Sequence, residues 1–124
     1  MKDHVIWRGD FGHTFFYQSE LPYHITTEDF KGHSSYVVTN EVTEHEGVGL
    51  GVYHFFRDHP DVVVERAITT PPHIRLVNPF TKYLIGQGGY INHVHNDYGD
   101  RSNHGCRESS PPMFVSPEAY ENKK

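Results

Sequence analysis

Short runs of strand-forming residues recur along this chain roughly every dozen residues, and nowhere does the apolar spacing of a long helix take hold. Val5–Trp7, Thr14–Glu20, Ser35–Thr39, Val62–Glu65, Ile74–Val77, Tyr83–Ile85 and Tyr90–His95 each read as a strand. So does the run from Gly47 to Phe56, where alternating glycines suggest strands in close contact rather than a phosphate loop, since no Lys-Ser/Thr pair follows them. One helical turn is expected near Thr26–Lys31, with Thr26 or Thr27 as cap and Glu28 and Asp29 in its first turn. The chain is therefore expected to be all-β. With 124 residues it makes one domain, and with 35% hydrophobic residues it must draw much of its core from 8 Phe and 8 Tyr. Residues 1–99 carry the strands. Residues 100–124, rich in Ser, Pro, Asn and charge, are expected to form a disordered tail.

Charge and motif content exclude several functions. A formal net charge of -5 with no basic cluster argues against a nucleic-acid partner. No apolar run approaches the roughly 20 residues of a membrane span, so no membrane partner is expected. The N-terminal residues show no apolar segment with a small-residue cleavage site, so no signal peptide is expected within them. Cys106, the single cysteine, cannot form an internal disulfide and falls in the expected tail, which makes it a poor nucleophile. Arg8-Gly9-Asp10 reads as a turn, and no serine sits in a nucleophile-elbow context. No motif calls for a cofactor.

Two constellations carry chemistry. In the run Thr14–Glu20, strand alternation puts Phe16, Gln18 and Glu20 on one face just before Pro22 ends the pairing, and Tyr23 follows. An aromatic ring in line with an amide and a carboxylate suits a sugar ring, and crowding by Phe16, Leu21 and Tyr23 would favour an acid role for Glu20. The second is His93-Val-His95 with Asp97 in phase, a spacing that could hold zinc or iron. A small His-rich metal-binding β-domain is the alternative it defines.

Several segments in order resemble one family, the glycoside hydrolase family 55 type exo-β-1,3-glucanases, or laminarinases. They are Phe15-Phe-Tyr-Gln-Ser-Glu-Leu-Pro-Tyr23, Ser35-Tyr-Val-Val-Thr39, Val42-Thr-Glu-His-Glu46, the run from Gly49 to Asp58, Glu65-Arg-Ala-Ile68 and Gly86-Gln-Gly-Gly-Tyr-Ile-Asn-His-Val94. The resemblance covers residues 7 to 99. It implies a right-handed parallel β-helix of the pectate-lyase-like kind, an extracellular location, and inverting, exo-acting hydrolysis of β-1,3-glucan without a cofactor. It also implies that Glu20 is the general acid, with Gln18, Phe16 and Tyr23 at the substrate. Members of the family are several times longer, built of two β-helical halves, and this chain resembles the last coils of the second half. The resemblance thus makes the N-terminal β-helical half a partner of the site. A non-catalytic glucan-binding or truncated β-helix remnant is the competing reading. Ile85 and His95 depart from the family's pattern, as does everything after Gly99.

Overall fold

A computed structural model describes residues 3–57, 59–85, 88–102 and 111–122. Its strands are β1 (Val5–Trp7), β2 (Gly12–Phe15), β3 (Gln18–Glu20), β4 (Tyr36–Val38), β5 (His45–Val48), β6 (Gly51–His54), β7 (Val63–Thr69), β8 (Phe80–Tyr83), β9 (Tyr90–His95) and β10 (Met113–Phe114). Two short helices, α1 (Thr27–Phe30) and α2 (Pro117–Asn122), complete the described elements. The all-β expectation holds. Among the described residues no helix is long and apolar enough to cross a membrane.

The strands form three sheets, ordered β1-β4-β7-β9, β10-β8-β6-β3 and β2-β5. Every pairing is parallel except that of β10 with β8. The chain visits the sheets in turn and then returns to the first, so each round lies beside the one before. Val5 pairs with Tyr36, Gly12 with His45, and Gln18 with Gly51.

Parallel pairing in register stacks like positions into columns, and the columns explain the core. Val5, Tyr36, Ile68 and His95 occupy one column of the first sheet, and the last three are essentially inaccessible. Ser19, Val52, Thr81 and Met113 form the inward column of the β10-β8-β6-β3 sheet. The main core joins Leu50, Val52, Phe56, Val64, Ile68 and Ile91, all at most 1% exposed. Each such side chain contributes roughly 1.5–3 kcal/mol by leaving water.

Local chemistry sets the connections. The Thr26 hydroxyl accepts the Asp29 N–H at 3.0 Å and starts α1, whose Phe30 is buried against the core. The helical turn expected there is present. Asp10 accepts from the Thr43 N–H at 2.6 Å and from its hydroxyl at 2.9 Å, which ties the Arg8-Gly9-Asp10 turn to the next round.

Several expectations need correction. Thr14–Glu20 is not one strand: β2 ends at Phe15 and β3 begins at Gln18, because Phe16 turns the chain with φ 57°. Ile74–Val77 is not a strand either, and joins the sheet through a Val48–Val77 bridge. Of Tyr83–Ile85 just Tyr83 belongs to a strand, as the last residue of β8, and the run Gly47–Phe56 is divided between β5 and β6 at Gly49, φ 68°. The segment 100–124 is not disordered throughout. Met113 and Phe114 pair with β8, and Pro117, at the first position of α2, starts a helix whose Tyr120 is 4% exposed. Val94, Val115 and Tyr120 form a small second core there. Apolar residues too sparse to register in composition are placed where they bury together. Cys106, Gly86 and Gln87 lie outside the described residues.

Candidate functional site

The sheet that contains β3, β6 and β8 turns one set of side chains outward in two rows. Gln18, Gly51 and Phe80 share one row, which Phe114 of β10 extends by pairing with Phe80. Glu20, Tyr53 and Lys82 share the next. Gln18 and Glu20 are both exposed, with half-buried Ser19 turned inward between them. The alternation read from the sequence therefore places the amide and the carboxylate on one face. Leu21, expected to crowd Glu20, instead points into the core at 1% exposure.

Phe16 reaches this face by another route. It occupies the corner between β2 and β3, where the chain is left-handed, and the same corner in the next two rounds is taken by Gly49 (φ 68°) and Asn78 (φ 51°). The corners are linked in series, since Phe16 N–H donates to Val48 O and Gly49 N–H to Val77 O, each at 2.9 Å. A Cβ on Gly49 would come 3.3 Å from Phe16 Cδ1, so the phenyl ring lies against the bare glycine backbone of the next round. Glycine and asparagine suit this conformation; a bulky side chain does not. Phe16 also leaves 84% of its surface in water. Phe16 thus combines a left-handed backbone with an exposed ring at a corner where its counterparts are Gly and Asn, a combination shared by Phe11 (φ 59°, 68% exposed).

Phe16, Gln18, Tyr53, Asn78, Phe80 and Phe114 line a groove of about 360 Å³. Tyr23, 39% exposed, packs edge-on to Phe55 at 5.3 Å, with the Arg57 guanidinium 5.4 Å from its ring centre. The structure thus brings Phe16 and Gln18 into one groove, sets Glu20 in the adjoining row, and places Tyr23 in an aromatic–cation cluster with Phe55 and Arg57. The sequence reading missed Tyr53, Phe80 and Phe114. Tyr53 and Phe80 sit about one round apart in sequence, and no local pattern joins them.

The metal alternative fails on geometry. His95 is fully buried, and both its nitrogens are engaged, Nε2 with the Thr70 hydroxyl at 2.8 Å and Nδ1 with the Tyr120 hydroxyl at 2.7 Å. Thr70 donates to Pro71 O, so it accepts from His95 Nε2–H, and Nδ1 accepts from Tyr120. Asp97 lies beyond β9 and takes Arg66 at 2.6 Å, while His93 Nδ1 contacts Gly99 O at 3.2 Å. Among the described residues no group of three or more His, Cys, Asp or Glu side chains could hold a metal ion. Burial pushes the imidazole of His95 down to about 4, and that of His54, which contacts Ser102 O at 2.8 Å, likewise to about 4. Both are neutral core residues.

No protein-family model matches the chain. Among curated proteins it is 37% identical over 107 residues to an exo-β-1,3-glucanase of Streptomyces sp. (strain SirexAA-E / ActE), an alignment that takes in 80% of this chain and 18% of that protein. Among solved structures it superposes on sacteLam55A from Streptomyces sp. SirexAA-E with TM-score 0.78 and 33% identity, over 93% of this chain and 22% of that one. A Glu→Ala variant of sacteLam55A in complex with glucose gives TM-score 0.80 and 32% identity, over the same shares. The chain thus spans about a fifth of the length of the proteins it matches. The resemblance to exo-β-1,3-glucanases drawn from the sequence segments holds.

Proposed function

We propose that this chain is a piece of a secreted, exo-acting β-1,3-glucan hydrolase of the glycoside hydrolase family 55 type. On this reading its three-sheet stack forms the last coils of a right-handed parallel β-helix, and Glu20 is the general acid. The observation that carries it is the outward pair Gln18 and Glu20 beside an aromatic groove, in a chain 37% identical to an exo-β-1,3-glucanase.

The chemistry follows from two carboxyl groups. As the general acid, Glu20 gives a proton to the glycosidic oxygen as the bond to the anomeric carbon breaks. A carboxylate on the far side of the ring, roughly 6.5–9.5 Å away, removes a proton from the attacking water, and the configuration inverts. That base comes from outside this chain, from the N-terminal β-helical half. Gln18 offers an amide to sugar hydroxyls, and Phe16 and Tyr23 offer ring faces to sugar C–H groups. No step calls for a cofactor. A polymeric glucan cannot enter a cell intact, which supports an extracellular site of action.

The test is a chimera in which this chain replaces the aligned segment of the Streptomyces exo-β-1,3-glucanase. Glucose should be released from laminarin as the inverted anomer, seen by NMR before mutarotation. Glu20→Gln should lower kcat by roughly 10²–10⁴-fold, as expected for loss of a general acid. A chimera that folds and keeps its kcat after Glu20→Gln would remove Glu20 from the reaction.

A further inference from the structure

Three rings on the outward face belong to no role assigned so far. Phe80 of β8 lies over Gly51, where a Cβ would strike the phenyl ring. Tyr53 meets Phe80 edge-on, with ring centres 5.9 Å apart at 81°. Phe114 lies beside Phe80 at 5.2 Å and 41°, and is 53% exposed. We propose that Tyr53, Phe80 and Phe114 form a second sugar-stacking subsite, which holds a further glucosyl unit of the same β-1,3-glucan chain bound at Phe16 and Gln18. The proposal rests on the reading of the chain as a glucan hydrolase, and it extends the site beyond the point of cleavage.

Three features support it. Strand β10 is only two residues long; it buries Met113 partly and turns Phe114 into water, so pairing with β8 adds a ring to the surface rather than to the core. Gly51 leaves the outward row without a side chain between Gln18 and Phe80, which gives the Phe80 ring its seat. One groove is lined by residues from Phe16 to Phe114, and its lining includes the amides of Gln18 and Asn78 as well as the rings. Ring faces and amides in one groove match the C–H faces and hydroxyls of a pyranose. An apolar peptide or lipid tail would leave those amides without partners.

The 124-residue chain should be titrated with β-1,3-linked glucose oligomers of two to six units by isothermal calorimetry. Affinity should rise with oligomer length. Phe114→Ala should remove roughly tenfold of the affinity for the longer oligomers and flatten the length dependence, with little change for the shortest. Phe114→Trp should restore it, which separates a lost ring from a disturbed fold. Phe114→Ala with the wild-type length dependence overturns the subsite and leaves the hydrolase reading standing. If the wild-type chain binds no oligomer, the subsite is overturned too, and the chimera assay for Glu20 then decides the hydrolase reading on its own.

Discussion

The first and last rounds of the stack end in opposite ways. At the C-terminal end the returning chain closes the edge of β9: Ile91 O accepts the Ser102 N–H at 3.0 Å, and Val94 and His95 donate to Tyr98 O at 2.9 and 3.2 Å. Strand β10 then reverses direction, and Tyr120 seals the cluster over His95. At the N-terminal end β1, β2 and β3 are each the outermost strand of their sheet, and among the described residues their backbone hydrogen bonds run toward the next round. The inward positions there are half-buried: Val5, Trp7 and Tyr17 pack on the core from above. A hydroxyl network fills the rest. Ser35 meets His4 at 3.1 Å, Tyr17 at 3.0 Å and Ser19, while Tyr36 links Thr14 at 2.7 Å to His45 at 2.8 Å. One end is finished with buried rings and neutral imidazoles. The other presents bare strand edges and hydroxyls, the kind of surface on which a further parallel round could add.

Acid should expose the difference most strongly, because His95 lies at the closed end and His54, on β6, is tied to it through Ser102. A histidine in the unfolded chain titrates near 6.5, whereas His54 and His95 do so at about 4 in the fold. Between those values the unfolded chain binds protons that the folded chain does not, so stability falls as pH falls. The loss is on the order of 3 kcal/mol for each histidine by pH 4. Urea midpoints measured from pH 7 to pH 4 should decline steadily, with hydrogen exchange accelerating first at β9 and α2. A flat profile would mean that neither histidine is held neutral by burial.

Truncation comes next in size. Tyr120→Ala opens the closed end and leaves His95 Nδ1 without its donor, and should lower stability by about 3 kcal/mol. Val5→Ala, at a half-buried position of the open end, should lower it by less than about 1 kcal/mol. Equal losses in chemical denaturation would erase the contrast between the ends.

The smallest effect is expected at the corner of the first round. Phe16→Asn puts there the residue type found at position 78, relieves a bulky side chain in the left-handed region, and should raise stability by up to about 1 kcal/mol. On the proposed reading as a glucan hydrolase, glucan binding should fall at the same time. A loss of stability, read from thermal unfolding, would make Phe16 a structural residue instead.

Alternation along a strand and capping at a helix start are local rules, and the features they govern were legible. Gln18 and Glu20 share a face as read, and the Thr26 cap, β1, β4 and β9 lie where expected. The break at Phe16 was not legible, because consecutive aromatics suit a strand and nothing in them announces a positive φ. Nor was the order of 111–122, where Val115 and Tyr120 find burial against Val94 and its neighbours His95 and Tyr98, all of them distant in sequence. The groove was half legible for the same reason. Phe16 and Gln18 are close in sequence, but Tyr53, Phe80 and Phe114 join them only through register between rounds.

That register has a consequence for how such a surface can change. Neighbours along the Glu20–Tyr53–Lys82 row belong to different rounds, whereas neighbours in sequence point to opposite faces. A ligand laid along the row therefore reads the chain crosswise, one letter from each line of text. Exchanging one round for another rewrites one letter of that reading and leaves the rest of the message intact. Lengthening a loop between lines rewrites nothing, provided the line below still begins at the same margin.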